Sequence, residues 1–573
     1  MRRVRTHMLA ALAALAPPSL STPLDAKSAD ELRSFCSSLA GRTIDAKLIG
    51  LPSAGGKIAS AEIATLTAAN GASAPYCKVM AAIAPLDPKS TPINIEINLP
   101  LDWNGKAVQY GGGGFNGVLI TGLDPLRDQP PDLPPPVARG YMSFGTDSGH
   151  VAKDLPEIQA FALNDEALVN FAYAAYKKTR DLALEVAGTF YGRKPERLYY
   201  FGGSEGGREG LTMAQRFPDD YDGIVSVVPV INWVALQSAG NRTGIVQQNG
   251  GWLNAAKLAL VRKAVIAACD ADDGLADGVI SRYEDCAKKF DAKTLRCPDG
   301  KDAGDTCLSD AQVAALISLH TPYEFPFPLA NGLTSYPGYN WGHEDQPDGM
   351  LAWVTGPKAA QFPLPDPAQQ GRQWYYGNGG IRYLVARDPA YNTFDYAPEK
   401  FRERVLEISK LMDSTNPDLS AFARHGGKLV LKDNAHDFAK SANNTIAYYK
   451  SVVATMGRDP VDRFMRFYVN PGVSHSGAGV RRHRRRAGVA RSRFPGRARR
   501  PGDQGRCAGG ADADRAGRDA AVRRFGNAAV VPLSSLPALQ GRAADRSREL
   551  YLPECGLGQS AAATAAGPIA KAA

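Results

Sequence analysis

Residues 198–217 decide the fold, and they read LYYFGGSEGGREGLTMAQRF. The strand-like run Leu198–Phe201 leads into small residues around Ser204, and a helical stretch continues through Gly210–Phe217. This is the G-x-S-x-G pattern between a strand and a helix, where small residues flank the serine because the backbone is strained and a neighbouring chain passes close. The stretch therefore predicts a nucleophilic Ser204 at the edge of an α/β sheet.

Donors for a developing oxyanion are expected near this serine. Ser204 precedes a helix N-terminus, where the backbone N–H of Glu205 can face an oxyanion and the helix dipole favours negative charge. A second donor usually comes from a glycine-rich loop after an early strand, which GGGGFNG at residues 111–117 matches. Either Gly113 or Gly114 can supply it. A phosphate loop is the alternative, but the Lys-Ser/Thr pair of a Walker loop is absent.

The serine needs a histidine to take its proton and a carboxylate to orient that histidine. This fold places the acid after the serine and the histidine after the acid, which excludes His150, His425 and His436. His320 and His343 are excluded because they lie in the predicted insertion, and His7 and His483 because they lie in the predicted signal peptide and in the tail. His475 remains, in the loop NPGVSHSG after a predicted strand.

Two carboxylates are candidates for the acid. The predicted strand Lys428–Lys432 is followed by Asp433 and, four residues later, by Asp437. Asp437 is favoured because it lies a few residues beyond the strand end and can reach over to His475. Asp433 stays as the alternative.

The α/β pattern occupies two parts of the chain, with a segment rich in Cys, Asp, Pro and aromatic residues between them. We predict an α/β-hydrolase fold with a mainly parallel sheet, formed by residues 27–231 and 373–479, and a lid domain at 232–372 inserted over the active edge. The predicted strands are Ile93–Leu99, Ala107–Tyr110, Tyr141–Phe144, Leu198–Phe201, Lys428–Lys432 and Phe464–Tyr468, and the predicted helices are Glu166–Phe190, Pro398–Met412 and Ala442–Met456.

Residues 1–26 have the pattern of a signal peptide. Arg2, Arg3 and Arg5 precede the apolar run Met8–Ala16, which is too short to span a bilayer and ends in prolines and small residues. A buried N-terminal helix is the alternative. Since no later stretch is apolar enough for a membrane span, the protein is predicted to be secreted or periplasmic, without a membrane as partner.

Cysteine usage fits an exported protein. None of the eight cysteines lies in a CxxC pair, so disulfides are expected rather than metal thiolates. Cys36 and Cys77 are predicted to form an N-terminal bridge. Local bridges are expected within the lid, but the sequence leaves open how its four cysteines pair. These four are Cys269, Cys286, Cys297 and Cys307.

The formal charge of +9 comes from one end of the chain. Residues 481–573 hold 19 Lys and Arg against 7 Asp and Glu, a net charge of +12, which leaves −3 for residues 1–480. The predicted folded body is therefore mildly acidic, and no nucleic-acid groove follows from the total charge.

An acidic stretch in the predicted lid suits a calcium ion. Residues 270–279 read DADDGLADGV, with carboxylates at positions 1, 3, 4 and 8. Hard oxygen ligands at this density favour Ca²⁺, although the spacing differs from that of an EF-hand. A solvated acidic turn is the alternative.

Taken together, these motifs resemble the tannase and feruloyl esterase family, which includes the mono(2-hydroxyethyl) terephthalate hydrolases. The resemblance implies a triad of Ser204, Asp437 and His475 beneath a lid, and small esters of aromatic acids as substrates. It also implies Ca²⁺ bound by Asp270, Asp273, Asp277 and the carbonyls of Leu275 and Val279. The similar runs lie between Cys36 and Gly479: TDSGH at 146–150, FYG at 190–192, GGSEGGREG at 202–210, the acidic stretch, GGKL at 426–429 and PGVSH at 471–475.

Two departures from the family pattern lie beside the predicted triad. The family usually has cysteines just before the serine and just after the histidine, joined as a disulfide, whereas this chain has Gly203 and Ser476. Loss of both partners predicts a branch that holds the triad by packing, without a bridge worth about 2–4 kcal/mol. The acid loop also differs, with Lys432-Asp433-Asn434 where the family commonly has Tyr-His-Gly.

The tail, residues 480–573, lacks any clear strand or helix period and is predicted to be disordered. We interpret it as frameshifted: with suitable codons, residues 529–541 read one base later give PLCRYPRYPRYKG, which resembles the family's terminal segment. Cys507 and Cys555 would then have no native partners, and loss of a final helix beside His475 would reduce stability or activity. An intact single frame in the resequenced gene near codon 480 would refute this interpretation.

Several functions are compatible with these features. A secreted esterase for aromatic esters is favoured, and a weakened or non-catalytic binding protein on the same scaffold is the alternative. Nucleic-acid or membrane binding through the tail and a serine peptidase are further alternatives. The oligomeric state is not readable. The lid aromatics Trp341, Trp353, Trp374, Tyr375 and Tyr376 either line a pocket or form lid core, and core is favoured for most of them.

Overall fold

The computed structural model describes residues 27–477, apart from residues 69, 70, 72, 131 and 365. The predicted signal peptide and tail lie outside the described residues. The strands are β1 Thr43–Ile44, β2 Gly56–Thr67, β3 Ser73–Ile83, β4 Ile93–Pro100, β5 Lys106–Tyr110, β6 Met142–Thr146, β7 Arg197–Gly203, β8 Gly223–Val227, β9 Tyr323–Glu324, β10 Ser335–Tyr336, β11 Lys428–Asn434 and β12 Met465–Asn470. The helices are α1 Ala29–Cys36, α2 Asp165–Val169, α3 Ala175–Tyr191, α4 Glu205–Arg216, α5 Trp233–Ile245, α6 Ala255–Cys269, α7 Tyr283–Lys289, α8 Asp310–His320, α9 Arg372–Gly379, α10 Arg402–Met412, α11 Ser420–His425, α12 Ala442–Met456 and α13 Arg458–Phe464.

A ten-stranded sheet forms the core, in the order β1-β2-β3-β4-β6-β5-β7-β8-β11-β12. The six strands from β6 to β12 in this order are parallel, whereas β1 to β4 pair antiparallel and join through β4 and β6. Central strands such as β5 and β8 are almost entirely buried, as expected where helices cover both faces of a sheet. The predicted α/β class with a mainly parallel sheet is confirmed.

The antiparallel hairpin of β2 and β3 is an addition to the prediction. Its pairing runs from Gly56 opposite Ile83 to Thr67 opposite Ser73. Many side chains of β2 are exposed or half-exposed, and alanines and charged residues interrupt its apolar pattern. A strand with one open face and few large apolar residues gives a weak signal in the sequence, so no strand was predicted there.

The predicted helix 166–190 is present as a nearly continuous helical segment. It begins at α2, where the Asn164 side chain accepts a hydrogen bond from Ala167 N. A π-turn at Asn170–Ala174 joins α2 to α3. Gly192 ends α3 with φ 79°, a left-handed conformation that glycine adopts without strain.

Between β8 and β11 the chain leaves the sheet and forms helices α5 to α11 and the small hairpin of β9 and β10. Helix α9 packs tightly on α5: a Cβ on Gly240 would lie 2.8 Å from Gln373 O. Disulfides Cys269–Cys286 and Cys297–Cys307 close two short loops here, and Cys36–Cys77 ties α1 to β3. The N-terminal bridge and the local bridges are thus confirmed, with their pairing now defined.

In the part of the chain that the structure describes, no helix has the length and apolar character needed to cross a bilayer.

Candidate active site

Ser204 lies at the sharp turn between β7 and α4. Its backbone has φ 59° and ψ −120°, a strained conformation for a residue with a side chain. The turn brings main chains into contact, since a Cβ on Gly202 would lie 2.1 Å from Gly206 O. Main-chain bonds from Ser204 N to Val227 O (2.9 Å) and from Gly206 N to Gly112 O (3.1 Å) fix it. The glycine pattern is therefore a steric requirement of the turn.

The structure brings the three predicted triad residues together. The Ser204 hydroxyl lies 3.0 Å from His475 Nε2, and His475 Nδ1 lies 2.7 Å from Asp437 Oδ2. Asp437 is 2% exposed and His475 is 8% exposed, so little water competes for these bonds. The arrangement can remove a proton from the hydroxyl while the carboxylate orients the imidazole.

The two candidate acids have separate surroundings. Asp437 also accepts hydrogen bonds from Ala439 N (2.7 Å) and Lys440 N (3.3 Å), through its other oxygen. Asp433 is fully buried and forms an ion pair with the buried Lys440 ammonium. Asp433 is thus engaged in the core, and Asp437 is the carboxylate that reaches His475.

Both predicted oxyanion elements border the cavity above Ser204. Glu205 is the first residue of α4, and the N–H groups of a helix's first turn have no partner within the helix. Gly113 and Gly114 line the same cavity, and Gly114 has φ 59°. Both glycines remain candidates for the second donor.

A buried carboxylate that sequence reasoning missed holds the glycine loop in place. Glu209 on α4 accepts hydrogen bonds from Gly112 N (3.1 Å) and Asn116 Nδ2 (2.6 Å). It also accepts one from the Tyr200 hydroxyl (2.6 Å). Glu209 thus connects α4 to the loop that is predicted to supply the second oxyanion donor. Its position five residues after Ser204 was visible in the sequence, but its distant partners were not.

The side chain of Glu205, whose backbone N–H is a predicted oxyanion donor, is buried. Burial raises its pKa to about 7, although the neighbouring Arg208 guanidinium acts in the opposite direction. Arg208 Nε donates to Glu205 Oε1 at 2.7 Å, and Arg208 Nη1 donates to Ala172 O at 2.9 Å. This pairing offsets negative charge close to the site where an oxyanion would form.

A cavity of about 250 Å³ opens above Ser204 and has mainly apolar walls. Trp353 forms part of the wall, and its ring meets the His475 ring edge-on, with centroids 5.1 Å apart. Of the five aromatics named above, Trp353 and Tyr376 line the cavity, and Tyr375 contacts Tyr376. Trp341 stacks on His320 and Trp374 stacks on Phe394, and both tryptophans are buried in the hydrophobic core. The aromatic residues that line the cavity are Phe115, Trp233, Trp353 and Tyr376.

Gln237 is a polar residue in this apolar lining that sequence reasoning missed. Trp233, Gln237 and Gly240 lie on one face of α5 and border the cavity. The Gln237 side chain is 7% exposed, and its Oε1 has no hydrogen-bond partner in the described part of the chain. Gln373, by contrast, is bonded to Tyr339 (2.8 Å). Gln237 thus adds a polar side chain to a mainly apolar cavity wall.

The predicted calcium ligands lie in one tight loop after α6. Asp270 accepts from Gly278 N (2.9 Å), Asp273 from Leu275 N (2.9 Å), and Asp277 from Val279 N (3.1 Å). Within residues 27–477, less the five gaps, no group of three Asp, Glu, His or Cys side chains is gathered so that it could hold a metal ion. The donors are nevertheless all oxygens, and carboxylates that accept one amide hydrogen bond keep further acceptor sites. Calcium stays a prediction.

Comparison with known proteins gives consistent matches over most of the chain. A family model described as tannase and feruloyl esterase matches residues 77–484. An uncharacterized esterase of Agrobacterium fabrum is 34% identical over 456 residues, covering 77% of this chain and 81% of the relative. Mono(2-hydroxyethyl) terephthalate hydrolase of Piscinibacter sakaiensis is 28% identical over 468 residues, covering 73% and 76%. The crystal structure of feruloyl esterase B from Aspergillus oryzae is similar in fold, with a TM-score of 0.63, 23% identity, and coverage of 78% of this chain and 83% of that chain.

Proposed function

Because the chain belongs to the tannase and feruloyl esterase family, and is therefore a carboxylic ester hydrolase, we propose that it cleaves esters of aromatic acids through an acyl-enzyme on Ser204. The observation that carries this proposal is the chain of bonds from Ser204 to His475 (3.0 Å) and from His475 to Asp437 (2.7 Å). Aromatic side chains in the wall of the adjoining cavity support an aromatic acyl group. A family relative named for a terephthalate monoester agrees with that substrate class.

In the acylation step, the Ser204 oxygen attacks the ester carbonyl carbon while His475 Nε2 takes the hydroxyl proton. Asp437 fixes the imidazole so that Nε2 faces the serine, and it stabilises the imidazolium that forms. The N–H groups of Glu205 and of Gly113 or Gly114 stabilise the oxyanion. The C–O bond to the alcohol then breaks, and His475 returns the proton to the leaving oxygen.

In the deacylation step, water takes the place of the alcohol. His475 removes a proton from the water as its oxygen attacks the acyl carbon, and the same N–H groups stabilise the second oxyanion. The bond to Ser204 then breaks, the serine oxygen regains its proton from His475, and the free acid leaves. The enzyme is restored, and one ester and one water have become one acid and one alcohol.

Replacement of Ser204 by alanine tests the proposal. Turnover of an aryl ester is expected to fall by at least about 10⁴-fold, because the nucleophile is gone while the cavity remains. A fluorophosphonate should label the unmodified protein and not the variant, since only an activated serine reacts. Ser38→Ala, which removes an exposed serine, is the matched control and should retain full labelling. Unlabelled but folded parent protein would instead favour a non-catalytic binding protein on this scaffold.

The acyl group is best identified with a panel of gallate, ferulate and terephthalate monoesters. Gln237 adds an amide, a group with both a donor and an acceptor, to the cavity wall, so it suits a hydroxyl group on the substrate ring. Higher kcat/KM on the hydroxylated esters, and loss of that preference in Gln237→Leu, would support this role.

We further propose that Ca²⁺ binds the 270–279 loop, held by Asp270, Asp273 and Asp277 and the carbonyls of Leu275 and Val279. The all-oxygen donor set and the Cys269–Cys286 bridge that closes the loop support a structural ion. Metal analysis of the purified protein should find one calcium per chain, and EDTA should lower its melting temperature. Asp273→Asn should weaken both effects.

Export from the cytoplasm is also proposed. Three disulfides lie in the described residues, and such bridges persist in oxidising compartments. The predicted signal peptide at residues 1–26 agrees with this. N-terminal sequencing of the protein recovered from the periplasm or medium should show cleavage near residue 26.

A further inference from the structure

A carboxylate outside the sheet is bonded to residues on both sides of His475. Asp348 lies between β10 and α9, and its Oδ2 accepts hydrogen bonds from Ser476 N (2.7 Å) and from the Ser474 hydroxyl (2.9 Å). Ser474 is fully buried. The two residues that flank the histidine are thus held by one oxygen of one side chain.

The other oxygen of the same carboxylate holds the cavity wall. Asp348 Oδ1 accepts a hydrogen bond from Trp353 Nε1 (2.6 Å), and the Trp353 ring contacts the His475 ring edge-on. Asp348 is therefore bonded both to the loop that carries the base and to the aromatic side chain that touches the base. A shift of Asp348 would move both.

The protonation state of Asp348 is consistent with this bonding. Burial by itself would raise its pKa, but the hydrogen bonds from Ser476, Trp353 and Ser474 outweigh burial and leave the pKa below the ordinary value. The group is therefore ionised near neutral pH, where it accepts charge-assisted hydrogen bonds, which are stronger than neutral ones.

In the described part of the chain, no disulfide joins the loop of Ser204 to the loop of His475. Gly203 has no side chain, and Arg127 Nη1 lies 2.7 Å from where its Cβ would be. From the sheet side, Asn434 Nδ2 donates to Ser474 O (2.6 Å), and Gly472 N donates to His436 Nδ1 (2.9 Å). Asp348, in the segment predicted to form the lid, holds the same loop through its hydrogen bonds to Ser474 and Ser476.

We propose that Asp348 is a positioning residue, which holds His475 against Ser204 from the lid side and so makes the placement of the base depend on the lid. The inference rests on the proposed function, because it presumes that His475 is the base. Loss of the carboxylate should let the histidine loop and Trp353 relax, and displacement of a catalytic group by about 1 Å can cost about 10²-fold in rate.

The test compares Asp348→Asn and Asp348→Ala with Asp345→Asn, which removes an exposed carboxylate three residues earlier in the chain. The Asp348 variants should lower kcat on an aryl ester by about 10- to 10²-fold, with KM changed by less than about threefold. Labelling of Ser204 by a fluorophosphonate should slow by a similar factor. Asp345→Asn should stay within about twofold of the parent protein, because the Asp345 carboxylate is exposed and its buried ion-pair partner Arg262 keeps its hydrogen bonds to the carbonyls of Gly342 and Gly278.

A double-mutant cycle separates positioning from general stability. Ser474→Ala removes only the hydroxyl donor and should lower kcat by about three- to tenfold, and the double variant with Asp348→Asn should fall no further than Asp348→Asn alone. Ser474→Ala also gives the answer if the Asp348 variants do not fold, because an unchanged kcat in that folded variant would overturn the inference. Unchanged kcat and labelling in both Asp348 variants would do the same.

The two proposals fail in different ways. Full turnover in Ser204→Ala would refute the proposed function. If Ser204→Ala abolishes turnover but the Asp348 variants keep the kcat of the parent protein, only the positioning role is refuted.

Discussion

The loop that carries Ser204 and the loop that carries His475 are held by different parts of the chain. Main-chain bonds to Val227 and Gly112 fix the serine turn, and close contacts between glycines leave it no alternative. The histidine loop is fixed by the side chains of Asp348, Asn434 and His436. A turn that is fixed by main-chain bonds requires small residues at neighbouring positions, so it can be recognised from a local sequence pattern. A loop that is fixed by side chains depends on residues scattered along the sequence.

The largest effect is expected when the carboxylate that orients the His475 ring is removed. Asp437→Asn should lower kcat by about 10⁴-fold with the fold intact, because the amide no longer orients the imidazole. Steady-state kinetics on an aryl ester and a circular dichroism spectrum check both parts of this expectation.

Asp433→Asn is the informative comparison for that variant. It leaves the buried Lys440 without its partner, so it should destabilise the fold by about 3–5 kcal/mol in urea unfolding. Its folded fraction should retain kcat within about tenfold of the parent protein. If Asp433→Asn abolished turnover in folded protein and Asp437→Asn did not, the assignment of the acid would be wrong.

The glycine loop beside Ser204 can be loosened by removing the carboxylate of Glu209. Glu209→Ala takes away the acceptor for Gly112 N and Asn116 Nδ2, so the second oxyanion donor should drift. Loss of one oxyanion donor costs about 10²- to 10³-fold in kcat, and we expect the lower end of that range, with KM little changed.

Glu209→Gln is the conservative partner in this experiment. Its side-chain oxygen can still accept one of these hydrogen bonds, so it should lose less activity than Glu209→Ala. Equal kcat for Glu209→Ala and the parent protein would show that main-chain bonds alone hold the glycine loop. The serine side would then be held by main-chain bonds alone, in contrast to the histidine loop.

These differences explain how much of the molecule the sequence could predict. The serine turn, the parallel strands and the His475 loop were predicted because their residue patterns are local and apolar strands buried on both faces give strong signals. The roles of Glu209 and Asp348 were not predicted, because each depends on partners about a hundred residues away in the chain. Tertiary packing also decides how the four cysteines between residues 269 and 307 pair. It likewise decides which of the five aromatics line the cavity and which are buried in the core.

The smallest expected effect is a pH dependence of the free energy of unfolding. It arises from His436, which anchors the histidine loop from the sheet side. His436 accepts a hydrogen bond from Gly472 N (2.9 Å), which requires a neutral ring nitrogen. Burial, followed by the neighbouring His343 and Arg262, lowers the pKa of His436 from 6.5 to about 3. The unfolded chain binds a proton at this histidine below pH 6.5, whereas the folded chain does not.

The free energy of unfolding should therefore fall as the pH drops from 6.5 towards 3, with His436 contributing up to about 1.4 kcal/mol per pH unit. His436→Gln keeps an acceptor for Gly472 N and removes the titrating group, so its stability should fall less steeply over this range. Urea unfolding at several pH values between 4.5 and 6.5 measures both slopes. Identical slopes would mean that the ring is protonated in the folded protein, and that the hydrogen bond from Gly472 does not anchor the loop.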